Sequence, residues 1–287
     1  MKIRNMLLAV IAVSCLAACH PTAPQTAYRR NSGFVFGTNY NLVYRSDSDL
    51  CQAVLDRLAK YDNSLSVYNP HSLLSQLNEG DSVVADTMML SVFREAKRFH
   101  RFSGGAFDIT VEPLSRHWRF TRDLVDDTIS TEQWQSLVQG LDTVMPLIGL
   151  DKIAIDGNVL RKADRRMKIN ANALAEGFGI DVAAGVLEEH GVEDYMVEIG
   201  GEIHCRGLNP KGQKWRIGID KPIEGSGLLN RQMQRVIALS DGAVSTSGSY
   251  RQCYHVADGR RVQHTIDPRT GMPVSHSMES VTVTGPN

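Results

Sequence analysis

The chain has 287 residues, of which 42% are hydrophobic and 22% charged, and its formal net charge is −1. This length suits one large domain or two small ones with a full hydrophobic core, and the composition is that of an ordinary globular protein. The balanced charge argues against a nucleic-acid-binding surface, so no nucleic-acid partner is expected.

The N-terminus has the pattern of an export signal. Two basic residues precede a short apolar run from Met6 to Ala18, which is too short for a membrane span and typical of a secretory signal peptide. The run ends in Leu-Ala-Ala-Cys, which resembles the bacterial lipobox, so Cys19 is expected to carry lipid. We predict a signal peptide over 1–18 and a polar tether over 19–32, with the protein lipid-anchored on the periplasmic face of the inner or outer membrane. An ordinary signal peptide cleaved near Ala18 is the alternative.

Three further cysteines, Cys51, Cys205 and Cys253, are scattered along the chain. Their odd number and the lack of a CxxC pair predict neither a disulfide framework nor a zinc site. We interpret them as thiols, buried or partly buried.

Strands and helices alternate irregularly along the predicted domain, 33–287. An aromatic and β-branched strand is predicted over 33–44. Helices with apolar residues at helical spacing follow over 50–61, 86–103, 131–145 and 174–190. Asp156-Gly157 predicts a hairpin over 152–161. Other strands are predicted at 106–111, 167–170, 195–199, near 203, 215–219, 236–239, 261–266 and 280–284. Because strict βαβ alternation is absent, we predict an α+β fold in one domain.

Residues 240–273 combine parts that a phosphate-handling site needs. Small residues at 245–248 would let the backbone approach a ligand closely, and His264 supplies a side chain of the type that ordinarily titrates near neutral pH. The stretch 267–271, Asp-Pro-Arg-Thr-Gly, is a turn sequence. From the residues alone, a structural histidine bonded in this turn is the alternative to a catalytic one. A serine hydrolase is disfavoured, because no G-x-S-x-G elbow is present.

Seven motifs, in this order, resemble the ApbE family, the FAD:protein FMN transferases. They are GTNY at 37–40; LSVY at 65–68 with Ser72, Leu77 and Asn78; GAFDITV at 105–111 with Pro113-Leu114; AEGF at 175–178 with Asp181; EIGGEI at 198–203; TSGSY at 246–250; and HTIDPRTG at 264–271. Each motif alone is weak, whereas seven in one order are specific.

The resemblance implies a mixed domain of the T-fold-like ApbE type, with the flavin site between its two halves. It also implies an enzyme that uses Mg²⁺ to move FMN from FAD to a threonine hydroxyl of a partner protein, with release of AMP. The acceptor would be a redox-pump subunit or a related extracytoplasmic flavoprotein that carries the threonine in a short motif.

By match to the family, His264 would be the general base. Ala173 matches a metal-ligand position, and alanine can ligate only through its carbonyl oxygen, which suits a hard cation such as Mg²⁺. The positions matching flavin-binding residues are Phe36, Tyr68, Ala106, Phe107, Asp108, Asn170, Glu176 and Ile266. From the residues alone, other roles stay open: an ordinary surface or core residue for Tyr68, a turn cap for Asp108 and a solvated helix carboxylate for Glu176.

One departure concerns the C-terminus. Family members continue from a strand like 280–284 into a helix of the type A-D-x-x-A-T-A, whose Asp and Thr supply most Mg²⁺ ligands. The sequence ends at Asn287 without that motif, so we expect weak metal binding and reduced or absent transfer. The alternative functions are an FAD-holding lipoprotein and an FAD pyrophosphatase, in which water replaces the threonine hydroxyl.

Overall fold

The structure is a computed structural model that describes residues 27–120, 128–223, 231–250 and 253–287. The strands are β1 (Tyr28–Val35), β2 (Thr38–Arg45), β3 (Ser82–Val84), β4 (Thr128–Ile129), β5 (Ile153–Asp156), β6 (Val159–Lys162), β7 (Tyr195–Ile199), β8 (Glu202–Arg206), β9 (Trp215–Asp220), β10 (Met233–Leu239), β11 (Gly242–Gly248), β12 (Cys253–Val256), β13 (Arg261–Gln263) and β14 (Ser280–Gly285). The α-helices are α1 (Cys51–Leu65), α2 (Leu73–Glu79), α3 (Thr87–Phe102), α4 (Glu112–His117), α5 (Thr131–Val144) and α6 (Asn172–Glu189).

A six-stranded antiparallel sheet, in the order β1-β2-β7-β8-β11-β14, is the centre of the fold. Strand β2 shows why both faces are covered. Its Tyr40, Leu42 and Tyr44 point to one face and Val43 to the other, and all four are buried. Because side chains alternate along a strand, this pattern requires a packed layer on each side.

Helices α1 and α6 cover one face of the sheet, and the β9–β10 ribbon covers the other. The buried residues of α1 recur at helical spacing, with Val54, Leu58, Tyr61 and Leu65 on one stripe. Tyr61 and Leu65 lie at the end of that stripe and belong to a second core, which helices α2 and α3 and the small sheet β3-β6-β5 complete.

A third region holds α4, α5 and the small sheet β13-β12-β4. Its core is the fully buried Trp118 with Leu114, Leu141 and Ile148. Helix α5 begins with a capping box. The Ser130 side chain accepts from the Gln133 backbone N–H, and the Gln133 side chain accepts from the Ser130 backbone N–H. This region matters for the site because the turn at 267–271 packs on it.

The predicted α+β class is confirmed, and the four long helices lie within a few residues of their predicted bounds. The hairpin at 152–161 is confirmed, with its two-residue loop at Gly157 and Asn158. The described cysteines are free thiols, as predicted. No helix in the described part of the chain has the length and apolarity needed to cross a bilayer.

Several local predictions are wrong. The strand at 33–44 is two strands joined at Phe36-Gly37, because both residues adopt positive φ and reverse the chain. Residues 106–111 form turns held by a buried aspartate, and 167–170 is extended but pairs with no strand described here. The tether cannot extend to residue 32, because β1 begins at Tyr28 and pairs along its length with β2. The predicted signal peptide and Cys19 lie outside the described residues.

Candidate functional site

A cavity of about 250 Å³ lies between the β1–β2 turn, the C-terminal end of α1 with its following loop, and the start of α6. It adjoins a more open depression beside Tyr68 and Asn69. The cavity is lined by Phe36, Gly37, Thr38, Tyr61, Asp62, Leu65, Ser66, Val67, Tyr68, Asn172, Ala175 and Glu176. A lining that combines aromatic rings with carboxylates and small polar residues suits a planar, polar-edged ring system.

Phe36 reaches the cavity through a strained turn. Its φ is +54° and that of Gly37 is +77°, which gives the two-residue turn between β1 and β2 a left-handed backbone at both positions. Such a conformation is rare for a bulky side chain, and strain of this kind concentrates at functional sites. The ring lies edge-on to Tyr61, with 5.6 Å between ring centroids. Gly179 leaves room for it, since a Cβ there would lie 3.2 Å from Phe36 Cε2.

Tyr61 forms the floor of the cavity. Its ring stacks on Phe178 at 5.9 Å, and its hydroxyl donates a 2.6 Å hydrogen bond to the carbonyl oxygen of Ala175 at the start of α6. Burial raises the pKa of the Tyr61 hydroxyl, so it remains a neutral donor. We did not predict Tyr61 as a site residue. It stands at the end of the predicted helix over 50–61, and Phe178 belongs to the AEGF motif.

Tyr68 is 79% exposed although its loop is held by many hydrogen bonds. Ser66 Oγ accepts from the backbone N–H groups of Tyr68 and Asn69, and Asn69 Nδ2 donates to Asp62 Oδ2 at 2.9 Å. Ser72 Oγ donates to Ser66 O at 2.6 Å and closes the loop. The loop therefore holds Tyr68 in place at the mouth of the cavity. The exposed ring borders the cavity, so a ligand bound there would cover it.

Glu176 and Glu202 approach each other beside Thr38, at the end of the cavity. Loss of hydration raises the pKa of both carboxyls, and the nearby Glu176 contributes to raising the pKa of Glu202 to about 7. Gly200 lies beside both Thr38 and Glu202, since a Cβ there would lie 3.3 Å from Thr38 Cγ2 and 3.5 Å from Glu202 Oε2. We did not predict a role for Glu202, although it lies in the EIGGEI motif.

The turn at 105–108 forms a second part of the candidate site. Ala106 is exposed, and Phe107 packs edge-on against Phe99 with centroids 6.1 Å apart. Asp108 is buried. Its Oδ1 accepts from the N–H and hydroxyl of Thr110, and its Oδ2 from the N–H of Leu150, all within 2.8 Å. These bonds favour the turn-capping alternative for the Asp108 side chain, which supports the site by fixing the turn.

His264 and Ile266 follow β13 and lead into the turn at 267–271. The His264 ring lies edge-on to Phe120, with centroids 6.5 Å apart. Ile266 forms an isolated bridge with Pro273 and packs near Trp118. The indole N–H of Trp118 donates to Gly271 O at 2.7 Å. This bond anchors the turn to the third core, the buried cluster around Trp118 in the third region.

Asn170 connects the two parts. Its backbone N–H donates to Ile109 O at 2.8 Å, next to the 105–108 turn, and its Oδ1 accepts from the N–H of Asn172, which lines the cavity. Its Nδ2 donates to Glu112 Oε2 at 3.0 Å. Ala173 follows on the first turn of α6 and is exposed.

The structure thus brings Phe36, Tyr68 and Glu176 together around one cavity. Ala106, Phe107 and Asp108 lie in the second part, which Asn170 joins to the first. His264 and Ile266 lie between β13 and the anchored turn, and neither is among the residues that line the cavity.

Metal ligands are not clustered in this site. Across residues 27–120, 128–223, 231–250 and 253–287, no group of three or more His, Cys, Asp or Glu side chains is arranged to hold a metal ion. The carbonyl oxygen of Ala173 is one donor of the kind that Mg²⁺ prefers, but one carbonyl does not make a binding site.

Comparison with known proteins shows a consistent likeness. A sequence profile of the ApbE family matches residues 36–287. The chain is 37% identical to the FAD:protein FMN transferase of Vibrio cholerae, over 98% of this chain and 82% of that protein. It is 32% identical to the FAD:protein FMN transferase of Haemophilus influenzae, over 99% of this chain and 83% of that protein. The solved flavin transferase ApbE from Vibrio cholerae superposes with a TM-score of 0.75 at 34% identity, covering 90% of this chain and 82% of that one. The apo form of Pseudomonas stutzeri flavinyl transferase ApbE gives 0.74 at 30% identity, covering 90% and 80%.

Proposed function

Because the chain belongs to the ApbE family, we propose that it is an FAD:protein FMN transferase. In this reaction the hydroxyl oxygen of an acceptor threonine forms a bond to the FMN phosphorus of FAD. The bond from that phosphorus to the oxygen of AMP breaks, AMP leaves, and the threonine proton passes to a base. Phosphoryl transfer of this kind depends mainly on positioning and charge neutralisation.

The observation that carries the proposal is the rigid presentation of Tyr68 over an aromatic cavity. Phe36, held in a strained turn, and Tyr61, bonded to Ala175, supply the other rings. Side chains already held in place lose little entropy when a ligand binds, so they orient a flat ring at low cost. The isoalloxazine ring of FAD has the shape and mixed polarity of this cavity.

His264 is proposed as the general base. Histidine is the side chain that most often serves as a general base, and here it would take the threonine proton as the hydroxyl attacks. Its place before the anchored turn at 267–271 holds its backbone, since that turn is bonded to Trp118. Ile266 and the 105–108 turn would contact FAD on the same side, Ala106 and Phe107 with side chains and Asp108 through the backbone that it fixes.

Mg²⁺ is proposed to take part in the transfer, with the Ala173 carbonyl as one oxygen ligand of the kind that this hard cation prefers. The proposed acceptor is an extracytoplasmic or membrane redox protein of the redox-pump type that carries a threonine motif. Lipidation at Cys19 would keep the enzyme at the membrane that holds such a partner.

The decisive experiment is a flavinylation assay. The protein is incubated with FAD, Mg²⁺ and an acceptor domain containing the threonine motif, and flavin fluorescence is measured on the acceptor after denaturing electrophoresis. The same acceptor with Thr→Val is the control, because valine keeps the shape and removes the hydroxyl. Omission of Mg²⁺ with added EDTA tests the metal requirement.

Two histidine variants test the base. His264→Ala should slow transfer by roughly 10²- to 10⁴-fold, whereas His276→Ala, at an exposed position, should not. Bound FAD without transfer would favour the FAD-holding protein, and AMP and FMN without labelled acceptor would favour the pyrophosphatase. Membrane fractionation of wild type and Cys19→Ser, with mass spectrometry of the N-terminus, tests the lipid anchor.

A further inference from the structure

In the part of the chain that the structure describes, three turns hold an arginine against the aspartate two residues before it. The pairs are Asp164 with Arg166, Asp258 with Arg260, and Asp267 with Arg269, with Nη2–Oδ2 distances of 2.6, 2.6 and 2.7 Å. In each pair the arginine Nε also donates to the carboxylate, so the guanidinium is gripped at two points. Turn stabilisation is sufficient to explain such a local ion pair.

The third pair differs in what its arginine lies against. The side chain of Arg269 crosses Gly105: a Cβ at Gly105 would lie 3.6 Å from Arg269 Cγ and 3.7 Å from His100 Cε1. Gly105 begins the turn whose next three residues are proposed to line FAD. Arg260 instead lies over the ring of Trp134, 4.7 Å from its centroid.

The turn that carries Arg269 is firmly anchored. Gly271 N–H donates to Asp267 O at 2.8 Å, and Gly271 O accepts from the indole of Trp118. Gly271 is also packed tightly, since a Cβ there would lie 2.6 Å from Met145 Sδ. The Arg269 side chain is 54% exposed, and Asp267 occupies two of its five guanidinium N–H groups. Asp267 therefore fixes the direction of the guanidinium, on a side chain whose Cγ and Cδ lie beside Gly105.

The chemistry of the site calls for a cation at this place. FAD carries two phosphate charges, and more negative charge develops on the bridging oxygen as AMP leaves. The described residues that line the flavin cavity include Asp62 and Glu176 but no lysine or arginine. A planar guanidinium matches the geometry of phosphate oxygens.

We infer that Arg269 contacts the diphosphate of FAD, and that Asp267 is the positioning residue that aims its guanidinium. This inference rests on the proposed function, because it names a substrate contact within that site. It predicts that Arg269 recognises the phosphates of flavin nucleotides and not the flavin ring.

A series of flavins separates these two kinds of recognition. Dissociation constants for riboflavin, FMN and FAD are measured by flavin fluorescence quenching, with wild type, Arg269→Gln and Arg269→Lys. Arg269→Gln should weaken FAD binding roughly ten- to a hundredfold, the range expected for a lost hydrogen bond to a charged group, and leave riboflavin binding unchanged. Arg269→Lys should recover part of the affinity, since it keeps the charge but not the fork.

Arg166→Gln and Arg260→Gln are matched controls, because each removes an ion pair of the same geometry. If turn stabilisation were the whole role of Arg269, all three variants would lower the melting temperature alike and spare FAD affinity, and the inference would be overturned. Equal weakening of riboflavin and FAD would also overturn it, since riboflavin has no phosphate. Because these are binding measurements, their outcome is independent of whether wild type transfers FMN, which the flavinylation assay decides.

Discussion

Replacement of Phe36 by asparagine should separate ligand binding from folding. The backbone at Phe36 has φ +54°, which costs about 1–2 kcal/mol for an ordinary residue and little for asparagine. The ring is half-buried against Tyr61, so its loss costs roughly 1–2 kcal/mol of burial and aromatic contact. The relief of backbone strain and the loss of ring burial have opposite effects on stability. We therefore expect the free energy of unfolding to change by no more than about 1 kcal/mol, or about 3 °C in melting temperature.

The same substitution should weaken FAD binding about tenfold, because one ring of the cavity is lost. Calorimetric melting and fluorescence titration with FAD measure the two effects. Phe34→Asn is the control, since Phe34 is on the same hairpin, is 69% exposed and does not line the cavity. Unchanged FAD affinity in Phe36→Asn, or an equal loss in Phe34→Asn, would refute the reasoning. A loss of several kcal/mol in stability would show that the turn is not strained.

Other predictions follow from the same contacts. Tyr68→Ala should leave the melting temperature within about 1 °C, because the ring is 79% exposed, but weaken FAD binding by roughly 1 kcal/mol in titrations. Asp108→Ala should lower the free energy of unfolding by about 2–4 kcal/mol in urea titrations, because the buried N–H groups of Thr110 and Leu150 lose their acceptor; a mild effect would mean that water replaces it. The Glu202 carboxyl binds its proton more tightly in the folded protein than in the unfolded chain. Its contribution to the free energy of unfolding is therefore complete below pH 4.5, and it is lost as the pH rises through about 7. Melting curves of Glu202→Gln from pH 5 to 8 should therefore decline less than those of wild type, and parallel curves would contradict the raised pKa of Glu202.

Helices in which apolar residues recur at helical spacing over several turns were predictable, because this pattern lies within one short stretch of sequence. Helix α3 shows this best: its apolar stripe and Asp86 predict the helix, and the Asp86 side chain accepts from Met89 N–H as an N-cap should. Strands were less predictable. The aromatic and β-branched pattern of 33–44 hid a reversal at Phe36, because a phenylalanine is a poor signal for a left-handed turn residue.

The parts of the site were predictable from motifs, but their arrangement was not. Phe36, Tyr68 and Glu176 share one cavity, although more than a hundred residues of chain separate Glu176 from the other two. Tyr61, Glu202 and Arg269 had no assigned role in the sequence. Their importance depends on contacts across the fold, with Ala175, Glu176 and Gly105 respectively.

The sequence by itself determined the family, the α+β class and the residue types of the site, because ordered motifs and periodicity are properties of the chain. Only the tertiary structure decided where those side chains point and what they contact. It turned Asp108 inward to hold backbone N–H groups and left Tyr68 outward on a bonded loop. It also placed Arg269 across Gly105 while two arginines in identical local pairs lie elsewhere. The physical reason is that hydrogen bonding, burial and charge proximity depend on neighbours distant in sequence, which local patterns do not specify.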